Sequence, residues 1–283
     1  MSTAMKSPPR ATGSTATRKM SLSDVTTKGK GLPSRMVIHG VEGIGKTSFP
    51  ANSPNPIYLQ ARGETGLETL IDSGRLSEVP HLPEIQTFNE LLEAIDMLCR
   101  EDHGYQTIVL DTINGFERLC HEHVCRKHFN NDWTDKGFMG YGRGFETSLA
   151  DWRELLIALD RLRETKSMAV VALCHTKVTT FKNPEGPDYD RYAPDMHAKT
   201  WGLTHKWADI VLFANYETFT EKDGLRHKAA SGEQVRFLYS ERRAAFDAKN
   251  RHGLPFEISM GSSGKEAWSN FISAIKAGRQ VQN

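Results

Sequence analysis

One stretch limits the possible fold more than any other. Residues 36–50 read MVIHGVEGIGKTSFP: an apolar run, then Gly40, four residues, and Gly45-Lys46-Thr47. An apolar run that stops at glycine is a strand entering a tight turn. The spacing G-x-x-x-x-G-K-T lets the backbone N–H groups of Gly40, Val41, Glu42, Gly43, Ile44 and Gly45 wrap inward around an anion. Lys46, Thr47 and Ser48 continue the cradle. The lysine ammonium suits β- and γ-phosphates as a point charge, and the threonine hydroxyl suits Mg²⁺. A helix expected to start near Gly45 would add its positive end. Pro50 stands four residues after Lys46 and has no N–H to offer its carbonyl, so that helix must be short or distorted.

Around this loop the pattern strand, turn, helix repeats. PIYLQ (56–60), TIVLD (107–111), MAVVALCH (168–175) and ADIVLFANYE (208–217) are continuous apolar runs. FNELLEAIDMLCRE (88–101), GFERLCHEHVCRKHF and SLADWRELLIALDRLRET have helical spacing. Buried strands alternating with amphipathic helices predict an α/β fold with a mainly parallel sheet covered on both faces. VRFLYSE (235–241) and AAFDAKNR (244–251) read as further strands, antiparallel in character. Residues 176–200 read as a long polar loop. The organisation expected is a disordered basic arm over 1–34, one α/β domain over 35–260, and a C-terminal helix or tail over 261–283. The arm carries seven basic residues to Arg35, against Asp24 alone, and too few apolar groups to offset the cost of ordering it.

Charge sets limits on partners. Lys plus Arg number 36 and Asp plus Glu 35, so nucleic acid would have to be met by local patches. Four cysteines make no disulfide framework, and no run of about 18 apolar residues exists. Both point to a cytoplasmic chain with no membrane partner. Cys120 and Cys125 lie about 140° apart around one helix at 3.6 residues per turn, which sets aside a zinc site in CHEHVCRKH.

A triphosphate site needs more than its cradle. Mg²⁺ requires a carboxylate at a neighbouring strand tip, and Asp111 closes TIVLD. Thr112 follows it rather than a glutamate, which argues against the AAA+ arrangement and for the RecA-like one, whose base follows the second strand. Glu64 is the available carboxylate there, with Glu68 one turn on. His175, closing MAVVALCH, would face the γ-phosphate and report its loss to the following loop. Two segments are candidates for DNA. WTDKGFMGYGRGFET has mobile-looking glycines around Tyr141, which suits base stacking, and Arg143, which suits phosphate. Residues 176–200 bring Lys177, Lys182, Arg191 and Lys199, opposed by four acids.

The segments GVEGIGKTSF, IVLDTINGFE, GYGRGFE, VALCHTKVTTFKNPEGPDYDRYAP, HKWADIVLFANYE and RAAFDAKNRHGLP occur in this order in phage-encoded RecA-like P-loop ATPases, which the chain resembles over about residues 34–260. Part of that group resembles recombinases reduced to the ATPase core and is associated with single-strand annealing. The resemblance implies a RecA-like fold with antiparallel C-terminal strands, ATP and Mg²⁺ as cofactors, self-assembly into a homo-oligomeric ring or filament, single-stranded DNA as partner, and contact with a single-strand-binding protein. It also implies a host-cell cytoplasmic location. Many relatives place a glutamate at the end of the second strand, where this chain has Arg62 or Gln60. In hexameric RecA-like helicases a Lys-x-Arg pair reaches the neighbouring subunit's γ-phosphate; by that resemblance Lys249 and Arg251, alternating on one strand, take the same role. The function implied is ATP-dependent action on single-stranded DNA in recombination or annealing. A helicase-like or translocase motor is the alternative, and a small-molecule kinase a third.

Overall fold

The computed structural model describes residues 21–27, 29–217, 220–223, 226–229 and 235–281. The chain divides into two units, residues 1–31 and 32–283. In the first, Ser21 caps a short 3₁₀ turn over Leu22–Asp24, with Asp24 reaching back to the Ser21 N–H. Residues 1–20 and Lys28, on which most of the basic-arm reading falls, lie outside the described residues.

The second unit is built on one mixed sheet. Its strands are β1 (Arg35–Gly40), β2 (Pro56–Gln60), β3 (Thr107–Asp111), β4 (Ala169–Cys174), β7 (Ile210–Tyr216), β10 (Arg236–Tyr239) and β12 (Glu257–Ser259). The order across the sheet is β12-β10-β7-β1-β4-β3-β2. From β7 to β2 every pairing is parallel; β10 runs antiparallel to β7 and β12 antiparallel to β10. The short β11 (Lys249–Asn250) pairs antiparallel with the start of β7. β4 therefore separates the strand that enters the glycine turn from the strand that ends in Asp111.

Alternation along each strand decides which face each residue covers. Val37, Leu59, Leu110, Val170 and Ala172 face one core, filled from α2 (Phe88–Arg100), α3 (Ile113–His128) and α4 (Arg143–Lys166) by Phe88, Ile95, Phe116 and Trp152. Met36, Ile38, Tyr58, Val109, Val171 and Leu212 face the other. That core is closed by α1 (Gly66–Asp72), the loop residue Phe49 and α6 (Gly264–Val281). Ala267 and Phe271 of α6 are 0% and 2% exposed, so the segment expected as a helix or tail is a helix packed into the core. Capping fixes where two helices begin: the Thr87 and Thr112 hydroxyls accept from Glu90 N and Gly115 N at the starts of α2 and α3.

Two other expectations change, and one element was not expected. Residues 176–194 are not an open loop but the antiparallel hairpin β5 (Thr176–Phe181) and β6 (Tyr189–Pro194), followed by α5 (Ala198–Trp207). A second ribbon pairs β8 (Thr220–Asp223) with β9 (Arg226–Ala229). Of the strand expected over 244–251, only Lys249 and Asn250 form a strand, while Phe246 makes isolated bridges to Tyr192 and Arg243. Phe246 and Ala248, two residues apart, share one face there and pack in the cluster around Phe213.

Candidate functional site

The site forms where the carboxyl ends of β1, β2, β3 and β4 converge. β1 delivers Gly40, and Gly45 takes a φ of 102°, open to glycine without strain. After Gly45 no α-helix follows: Lys46–Phe49 form a turn and Pro50–Asn52 a 3₁₀ turn. The missing proline donor has shortened the expected helix to about one turn. Lys46 is 9% exposed and its ammonium donates to the carbonyls of Gly40 (2.8 Å) and Val41 (2.9 Å). Burial lowers its pKa, against the pull of nearby Cys174 and Asp111. Tyr58, from the middle of β2, donates its hydroxyl to the Thr47 carbonyl at 2.7 Å and fixes the loop from beneath.

The Thr47 hydroxyl meets Asp111 across the tip of β4, donating at 3.2 Å. Asp111 is 4% exposed. Desolvation, with the neighbouring Glu64 charge, pushes its pKa up to about 6. A buried carboxylate beside a hydroxyl is an oxygen donor set for a hard divalent cation, so Thr47 and Asp111 fit Mg²⁺ as holders. Bound there, Mg²⁺ would supply positive charge to phosphate oxygens.

Glu64 completes the head of the site. It follows β2 by four residues, and its Oε1 accepts from the Thr112 hydroxyl at 2.7 Å and faces His175 Nε2 at 3.3 Å. Three strand ends are thereby joined through one carboxylate. Burial works against the Glu64 charge, but the hydrogen bonds from His175 and Thr112 prevail and hold its pKa below the usual carboxylate value. The same hydrogen bond raises the pKa of His175 against desolvation. Glu64, lowered from 4.5, contributes stability above that pH and loses it as pH falls through its folded value. His175, raised from 6.5, contributes below that pH and loses it as pH rises through its folded value. The pair is therefore strongest between about 4.5 and 6.5. In a ¹H–¹⁵N titration, His175 should protonate above its ordinary pH in the native chain. In Glu64→Gln its midpoint should fall; an unchanged midpoint would mean that the pair does not exist in solution.

Several members of the site were missed by sequence reasoning. Thr112 entered only as the absence of a glutamate, although its place as helix cap, directly after Asp111, marks it as facing the cleft. Asn114 accepts from the His175 backbone N–H at 3.0 Å. His39, one residue before the loop, is fully buried, and desolvation lowers its pKa to about 4. Its neutral ring donates from Nε2 to the Asp247 carbonyl at 2.8 Å and meets the Thr176 hydroxyl at 3.2 Å. The root of the β5–β6 hairpin is thus tied to β1. Arg236, on β10, lies over the loop, donating to the Ile44 carbonyl at 3.3 Å. No local pattern identified it. The whole cleft has a volume of about 690 Å³; beyond the loop it runs past Asn52 and Leu76 to Ser263 and Lys265.

The expected DNA contacts have other partners. Arg143 donates to the Lys136, Gly137 and Gly140 carbonyls and so holds its own loop together. Three glycines of that loop permit close packing: a side chain on Gly137 would strike the Asp132 carbonyl, one on Gly140 the Asp135 carbonyl, and one on Gly144 the Phe138 ring, whereas Gly142 takes a φ of 71° in open space. Tyr141 alone stands out, fully exposed at a φ of 50°. Lys177 pairs with Asp195, Lys182 with Asp188, and Lys199 with Glu146, while Arg191 lies over the Phe181 ring.

Lys249 and Arg251 lie beside the start of β7, the end of the sheet opposite the cleft. They do not project together. The Lys249 ammonium donates to the carbonyls of His205 (2.6 Å), Lys206 (3.2 Å) and Ala208 (2.7 Å), capping the end of α5. Arg251 is half-exposed beside Asp209 at 3.5 Å. Lys249→Met should lower the stability of the isolated chain by about 1 kcal/mol, read by thermal unfolding; no change would leave a role toward a neighbour as its only one.

Comparison with known proteins places this geometry. The profile of the AAA domain family AAA_24 matches residues 32–252. No curated protein matches the sequence. Among solved structures the chain is similar to the RadB recombinase, at 12% identity and a TM-score of 0.43, covering 83% of this chain and 90% of that one. It is also similar to the flagellar accessory protein FlaH from Methanocaldococcus jannaschii, at 12% identity and a TM-score of 0.40, covering 82% and 87%. With a glycine cradle at the first strand tip, its acid two strands away and a mainly parallel sheet between helices, the chain belongs to the AAA domain family and has a RecA-like P-loop NTPase fold.

Proposed function

We propose that this protein binds ATP with Mg²⁺, hydrolyses it, and acts as a self-assembling protein on single-stranded DNA, in the recombination or annealing of phage DNA. The observation that carries the hydrolytic part is Glu64. It is a carboxylate kept ionised by Thr112 and His175 at the head of a P-loop cleft. In this reading the loop amides and Lys46 hold the phosphates, and Glu64 takes the proton of the attacking water. His175 ties that carboxylate to the root of the β5–β6 hairpin. Loss of the γ-phosphate would thereby be passed to a segment with Val178 exposed at its surface.

The DNA and assembly parts have narrower support. Tyr141 offers one fully exposed ring, which suits base stacking. Arg251, half-exposed at the end of the sheet opposite its own cleft, suits the pocket of a neighbouring copy. The paired lysines of the hairpin supply little free charge for phosphate. Binding should therefore have a shallow salt dependence for a DNA-binding protein. A single-strand-binding protein as further partner rests on the family resemblance.

Electron microscopy with single-stranded DNA and a non-hydrolysable ATP analogue tests the proposal, with Lys46→Ala as control. Nucleotide-dependent rings or filaments on DNA are expected from the native chain only. An assembly state indifferent to both nucleotide and DNA would overturn it, and directional unwinding of duplex would replace it with a motor.

A further inference from the structure

A phosphate loop is ordinarily steadied by the helix that follows it. Here Pro50 removes that helix, and another element stands in its place. Phe49, 0% exposed, packs its ring 5.0 Å from Trp268 and 5.6 Å from Phe271, both on α6. Gly264, the first residue of α6, lies so close to the Ser48 carbonyl that any side chain there would collide with it. Asn52 donates to that same carbonyl at 2.9 Å. Arg236 clamps the two segments, with Nη1 on the Ile44 carbonyl at 3.3 Å and Nη2 on the Gly261 carbonyl at 2.7 Å. Glu266 fixes the turn before the helix by accepting from the Ser262 N–H and hydroxyl at 2.9 and 3.0 Å. Ser263, Gly264 and Lys265 line the same cleft as Lys46 and Thr47.

We infer that α6 is a working part of the nucleotide site, an element more than 200 residues away in sequence that holds the phosphate loop in its binding conformation. The inference rests on the reading of the cleft as a nucleotide site and adds its regulation. The loop has only one turn of its own to resist deformation, so its shape is set by what Phe49 and Ser48 rest on. Docked, α6 holds Lys46 to Ser48 in register with Asp111. Displaced, it leaves Phe49 without its aromatic partners and Arg236 without Gly261. Coupling is reciprocal: nucleotide must tighten the docking of α6 by the same factor that docking tightens nucleotide. A partner that grips the exposed face of α6 would thereby control nucleotide affinity.

Trp268 lies outside the cleft, so Trp268→Ala removes a support without touching bound nucleotide. Affinity for a fluorescent ADP analogue with Mg²⁺ is measured for the full chain, for Trp268→Ala and for Gly264→Ala, well below each variant's unfolding temperature. Trp152→Phe, in the core on the opposite face of the sheet, is the control for general destabilisation. Both α6 variants should bind about tenfold more weakly, and the control as the native chain does. In the native chain, hydrogen exchange of residues 264–278 should slow on nucleotide binding by a larger factor than that of α2, a readout that needs no variant to fold. Native affinity in both α6 variants, or an α6 that exchanges at the same rate with nucleotide bound, would overturn the inference while leaving the nucleotide reading intact. Failure of the native chain to bind would overturn both.

Discussion

Lys46→Ala should reduce Mg-nucleotide affinity by about 100-fold or more, with the fold retained. The size follows from what the ammonium does. It is 9% exposed at the floor of the loop, and each charge-assisted hydrogen bond it would give a phosphate oxygen is worth about 1.5–3 kcal/mol. Loss of about 2.7 kcal/mol is 100-fold in dissociation constant. The alanine also leaves the Gly40 and Val41 carbonyls without their donor. That cost falls on the loop, because the apolar strands beneath it do not depend on Lys46. Titration calorimetry decides the matter, with circular dichroism to confirm folding. An affinity within threefold of native would mean that the cradle does not hold phosphate, and the functional proposal would go with it.

Glu64→Gln should lower the ATP hydrolysis rate by about 10²- to 10⁴-fold, the usual contribution of a general base, while nucleotide affinity stays near native. The amide retains an oxygen for the Thr112 hydroxyl but cannot accept a proton from water. It also removes a negative charge beside Asp111, whose pKa Glu64 helps to raise. Asp111 should then ionise more readily, so Mg²⁺ binding should hold or improve. This separates Glu64 from a metal-holding role, in which the substitution would weaken Mg²⁺. A rate unchanged under saturating nucleotide would place the base elsewhere.

These two residues show how legible the site was in the chain. The cradle from Gly40 to Ser48 and Asp111 were readable because each is local: a glycine spacing after an apolar run, and an acid closing one. Glu64 and His175 were readable as strand-end residues, but their contact was not. They are 111 residues apart and meet because β2 and β4 both flank β3, an order no local pattern states. The basic residues were the least legible. Lys177, Lys182 and Lys199 look available in sequence, yet each has an acid within reach once the hairpin and α5 form. Lys249 looks like half of a cationic pair until the end of α5 is placed beside it. Charge in a sequence states what a residue can bind; only the neighbours decide what it does bind.

By itself the sequence determined the alternation of buried strands and amphipathic helices, the phosphate-loop geometry and the shortening of its helix by Pro50. All of these follow from forces acting within a few residues. The tertiary structure alone decided that α6 belongs to the core and supports the loop, that Glu64 unites three strand ends, and that most candidate cations are already paired. Those outcomes depend on contacts between segments far apart in the chain, and burial, strand order and the competition among partners are settled only when the whole sheet has closed.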